Sequence, residues 1–148
     1  MKGTLKINNA TAWNGAEALV SYDSLGIRDG RFVDPAELPR DIPEIDASGL
    51  TILPGLINAH VHFCLDGTAD SVSNLIAEPH IITAYKACAA ARATLEAGTT
   101  TVRDVGCNGG IGIFLKKAIQ NGLVEGPRMM ASGPCIVMTG GHNRFIGT

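Results

Sequence analysis

The rhythm of hydrophobic and polar positions changes near Leu53. Before it the chain reads in short alternating stretches: Thr4 to Ile7 alternates, and Leu25 and Ile27 alternate into Asp29-Gly30. Alternation puts successive side chains on opposite faces of a strand, and Asp-Gly supplies the two positive-φ residues of a tight hairpin turn. Pro35, Pro39 and Pro43 follow. Each lacks the N–H that a central strand donates, so this stretch is expected as a loop or a sheet edge. Residues 1–53 are read as a small β-domain.

After Leu53 the pattern becomes strand, helix, strand, helix, strand. Leu56 to Val61 is a nearly continuous apolar run, which suits a strand buried on both faces of a parallel sheet. Ile81 to Ala97 is expected as a helix, with Ile81, Tyr85, Cys88 and Leu95 as its apolar stripe, Pro79 near its start and Gly98 at its end. Thr99 to Val105 is rich in β-branched residues and predicts a second strand. Ile113 to Asn121 predicts a second helix closed by Gly122, and Arg128 to Ser132, after Pro127, a third strand. Strands alternating with helices define an α/β domain with parallel strands over residues 54–148. The order does not distinguish an open sheet from a closed barrel.

Composition narrows the function. Hydrophobic residues make up 45% and charged residues 18% of 148, and mean hydropathy is +0.17, which is globular rather than disordered. A net charge of -2 and a pI near 6.0 provide no basic stripe for phosphates, so nucleic acid is not an expected partner. No apolar run approaches the roughly 20 residues that span a bilayer, and Met1 to Trp13 lacks the apolar segment of a secretory signal. No membrane partner and a cytoplasmic location are the expectations. Cys64, Cys88, Cys107 and Cys135 form no C-x-x-C pair and are read as reduced thiols.

The chemistry gathers at His60-Val61-His62, at the end of the first apolar strand. Residues i and i+2 of a strand face the same way, so both imidazoles can meet one cation, and imidazole nitrogen binds zinc and other first-row metals well. The tripeptide alone is a weak signal.

Its setting is more specific. Leu53-Pro54-Gly55-Leu56-Ile57-Asn58-Ala59-His60-Val61-His62 resembles the signature that opens the catalytic barrel of the amidohydrolase superfamily. The resemblance extends over essentially the whole chain. Ile45-Asp46-Ala47-Ser48-Gly49 is similar to the last turn of that family's small β-sandwich, and Ile27-Arg28-Asp29-Gly30-Arg31 to an earlier hairpin. Ala97-Gly98-Thr99-Thr100-Thr101-Val102-Arg103-Asp104 resembles the second barrel strand and Gly126-Pro127-Arg128-Met129-Met130-Ala131-Ser132-Gly133 the third. Gly140-Gly141-His142 looks most like the dipeptidase, carboxypeptidase and imidazolonepropionase-like branch.

The resemblance implies the first three strands of a (β/α)8 barrel preceded by part of a β-sandwich. It implies that His60 and His62 bind a divalent metal, zinc above all, as one or two ions, and that His142 contacts substrate. Hydrolysis of an amide, peptide or cyclic amide C–N bond in a small molecule follows, by a homo-oligomer when the protein is full length. The remaining ligands and the catalytic acid or base are expected beyond residue 148. Lys116 and Lys117 lie on a predicted helix and do not match the family's bridging lysine. His80, at a helix start, is read as having no partner. Asp104 is read as a structural hydrogen-bonding residue near Arg103.

Two other readings compete: a single-metal deaminase of the same superfamily, and a non-catalytic assembly or binding protein that retains the fold. A doubly wound nucleotide-binding domain is disfavoured, because Gly106 to Gly112 lacks G-x-G-x-x-G after the first strand. A (β/α)8 barrel takes about 250 residues. These 148 residues are therefore expected to leave the barrel open and to be inactive alone, with the end at Gly147-Thr148 read as a truncation.

Overall fold

The structure is a computed structural model that describes residues 3–13, 15–16 and 18–147. The chain divides into two compact units, Met1–Pro54 and Gly55–Thr148.

In the first unit, β1 (Thr4–Trp13) pairs antiparallel with β2 (Leu19–Arg28), and β2 pairs antiparallel with β3 (Arg31–Val33). The β2–β3 turn is the expected Asp29-Gly30 hairpin. Arg28 faces Arg31, and both turn residues have positive φ, 53° and 74°. β1 and β2 run further than the short alternating stretches suggest. Asn9, at φ 57°, is left out of the pairing, but the register is the same on both sides of it, from Asn8↔Ser24 to Ala10↔Tyr22. On its other side β1 pairs in parallel with β4 (Glu44–Asp46) and β5 (Thr51–Ile52). The proline-rich stretch is irregular, as expected, apart from a 3-10 turn at Pro35–Glu37 capped by the Asp34 carboxylate.

The second unit holds a three-stranded parallel sheet in the order β6 (Leu56–Val61), β7 (Thr99–Asp104), β8 (Arg128–Ala131). Three helices accompany it: α1 (Ser71–Ala77), α2 (His80–Glu96) and α3 (Ile111–Gln120). α1 falls in a stretch with no predicted element, and α3 begins two residues before its expected start. The central strand β7 is the best buried, with Val102 fully enclosed beside Leu115 and Met129. Full burial of a side chain of this size contributes about 1.5–3 kcal/mol.

Two burial expectations are corrected. β6 is not buried on both faces: it lies at the edge of the sheet, and Leu56 and Ile57 are 59% and 73% exposed, because it has β7 alone as a neighbour among the described residues. The buried stripe of α2 is also not the one of large residues. Ile81 and Tyr85 face solvent, while Thr83, Ala87 and Ala91, four residues apart, are enclosed. Small side chains allow close packing, and at this position closeness replaces bulk as the source of contact.

Candidate metal centre

Parallel pairing brings the C-terminal ends of β6, β7 and β8 to one end of the sheet. His60 lies in β6, and His62 follows the strand directly. Their rings stand edge to face, with centroids 5.3 Å apart and planes at 75°. The two rings are thus neighbours, as the i, i+2 spacing anticipates, even though the β6–β7 register shifts between Asn58 and Val61. In that irregular stretch the His60 N–H donates to Asn58 Oδ1 at 3.1 Å, and Arg103 Nε donates to the Ala59 carbonyl at 2.8 Å.

His62 has a defined second contact. Its Nδ1 lies 2.8 Å from the carbonyl oxygen of Gly106, in the loop after β7. A carbonyl only accepts, so Nδ1 carries the hydrogen and the Nε2 lone pair is left for a ligand. This backbone-anchored imidazole is the usual support of a metal-binding histidine. Gly106 is needed at this position: a Cβ there would overlap Cys135 Sγ and lie 3.5 Å from His62 Cε1.

Asp104 closes the loops beneath the pair. Its fully buried carboxylate accepts from the amide of Phe63 (Oδ2, 3.0 Å) and from that of Gly106 (Oδ1, 3.1 Å). The structural reading of this residue holds, but its partners are these two amides rather than Arg103. Burial pushes its pKa up, opposed by the Phe63 and Gly106 amides and by the nearby His62. Cys64 and Cys107 are buried free thiols; Cys64 Sγ donates to the Gly106 carbonyl at 3.7 Å, and the neighbouring Cys64 together with burial pushes Cys107 up.

Other expected residues stand apart. His142 is exposed in the turn after Gly140-Gly141. Among the described residues no set of three or more His, Cys, Asp or Glu could hold a metal, so neither His142 nor any other such group completes one with His60 and His62. Lys116 and Lys117 lie on α3, as anticipated. His80 is not without a neighbour: its ring packs over Gly109, which a Cβ at that position would strike. The Gly106 carbonyl and the paired amides of Phe63 and Gly106 escaped the sequence reading. The one available signal was the glycine two residues after Asp104.

The second unit is thus an α/β scaffold with two adjacent imidazoles at the C-terminal end of its edge strand β6. The amidohydrolase family profile matches residues 51–145, and the chain belongs to that family. Among solved structures it is similar to an amidohydrolase (33% identity, TM-score 0.76, 94% of this chain and 33% of that one). It is also similar to a Xaa-Pro dipeptidase solved with methionine bound in its active site (29%, 0.73, 95% and 36%). A third is molinate hydrolase (29%, 0.71, 91% and 31%). The chain thus spans about a third of the length of the structures it matches. No match was found among curated protein sequences.

Proposed function

We propose that this chain contributes to a metal-dependent hydrolase that cleaves a C–N bond of a small amide, with a dipeptide as the preferred substrate class. The observation that carries this reading is the His60/His62 pair, in which the Gly106 carbonyl leaves His62 Nε2 free to coordinate. Membership of the amidohydrolase family and similarity to a Xaa-Pro dipeptidase favour this chemistry over a non-catalytic role.

The two imidazoles fit part of a zinc shell, and a catalytic zinc site takes three protein ligands. When bound, the ion would lower the pKa of water toward neutrality and polarise the scissile carbonyl. This chain's own contribution is to supply two adjacent imidazoles and to fix the orientation of one of them. His142, on its glycine-flanked turn, is assigned a contact with substrate, and its exposure leaves it free to make one.

Metal analysis of the full-length enzyme tests the reading. Replacing His60 and His62 together with Ala should remove most bound zinc and abolish amide hydrolysis. A chelator should do the same to the unaltered enzyme, with recovery on adding zinc or manganese. Unchanged metal content in the double variant would defeat the assignment.

A further inference from the structure

We propose that Asp104 is a positioning residue that fixes the tautomer and orientation of His62. The inference rests on His62 being a metal ligand, and it concerns how the chain prepares that ligand before any metal arrives. Asp104 does not touch His62 through a hydrogen bond. It holds both members of the bond that does orient the ring, because its two carboxylate oxygens accept separately from Phe63, the residue after His62, and from Gly106, whose carbonyl receives the His62 Nδ1–H.

The chemistry of the carboxylate explains why this position holds Asp. Both partners are amide donors, so both oxygens must accept. Asn would place its NH2 against one of the two N–H groups, leaving a buried donor unsatisfied at a cost of about 1–3 kcal/mol. The carboxylate is also packed tightly on a third side. Gly112, in the first turn of α3, lies so close that a Cβ there would sit 3.2–3.3 Å from all three carboxylate atoms. The carboxylate therefore packs against the first turn of that ten-residue helix. The Asp104 carbonyl in turn accepts from the Ser132 amide at 3.0 Å, tying the same residue to the loop after β8. The aspartate at the end of the β-branched run Thr99-Thr100-Thr101-Val102 thus has a use that burial alone does not explain.

The test reads the ring directly and needs neither metal nor substrate. In long-range proton–nitrogen spectra of the metal-free full chain above pH 8, His62 should be in the Nδ1–H form. Asp104→Asn should convert it to a mixture with the Nε2–H form. Val102→Ala, which weakens the same strand without touching the carboxylate, should leave the tautomer unchanged. Retention of the original tautomer in Asp104→Asn, or an equal change in Val102→Ala, would overturn the proposal.

If Asp104→Asn does not fold, through-hydrogen-bond couplings in the unaltered protein decide the matter. Couplings from the Phe63 and Gly106 amides to the Asp104 carboxyl carbon, with His62 in the Nδ1–H form, support it, and absence of either contradicts it. The metal content of the His60 and His62 variants is a separate measurement, so failure of the hydrolase reading is distinguishable from failure of this one.

Discussion

Gly55 lies at the mouth of β6, in the Leu53-Pro54-Gly55 run. A Cβ there would overlap Thr100 Oγ1 and lie 2.7 Å from Thr100 Cβ. The residue is glycine because the Thr100 side chain fills the space a Cβ would need, and its φ is not positive. Gly55→Ala should lower stability by about 1–3 kcal/mol, as overpacking does. The measurement is the urea midpoint, which should fall with the slope unchanged; an unaltered midpoint would mean that β7 yields without strain. At this scale the sequence is partly legible. His60 and His62 stand out because i, i+2 spacing is local. The support for His62 does not, because Gly106 lies 44 residues away in the chain and nothing in its surroundings marks its carbonyl as an acceptor.

Among the elements, α2 shows where periodicity misleads. Ile81, Tyr85, Cys88 and Leu95 are the obvious stripe, yet the enclosed face is Thr83, Ala87 and Ala91. Thr83 Oγ1 is buried without a hydrogen-bond partner among the described residues. Thr83→Val keeps the shape and removes the unsatisfied hydroxyl, so it should raise stability by about 1 kcal/mol, read as a higher thermal midpoint. A lower midpoint would show that the hydroxyl has a partner. The loop before α1 offers a pH test. Hydrogen bonds from the Thr68 hydroxyl, from Asn74 and from the Thr68 amide hold the Asp66 pKa down to about 2, with the Lys86 charge assisting. The folded value lies below the ordinary 3.8. This carboxylate therefore favours the fold above about pH 4 and loses that contribution as pH falls toward 2. Carboxyl chemical shifts followed from pH 6 to 1.5 should place its midpoint well below 3.8, and a midpoint at that ordinary value would disprove the assignment.

For the whole molecule, the open edge of the parallel sheet has a physical consequence. β6 has one strand partner among the described residues and exposes Leu56 and Ile57. Unpaired backbone groups with apolar neighbours invite another strand. The 148-residue chain should therefore self-associate as concentration rises, and Ile57→Lys should suppress this in sedimentation. Equal association of both proteins would point to a different surface. The sequence by itself determined the two grammars on either side of Leu53, the Asp29-Gly30 hairpin, the parallel order of strand, helix and strand, and the paired histidines. These are all readable because turn chemistry, side-chain period and short spacing act within a few residues. Only the tertiary structure decided that β6 is an edge, that α2 packs through its small residues, and that Asp104 and Gly106 brace His62. Each of those depends on which distant backbone groups meet, and no local pattern along a chain encodes the neighbour that supplies a hydrogen bond or excludes a Cβ.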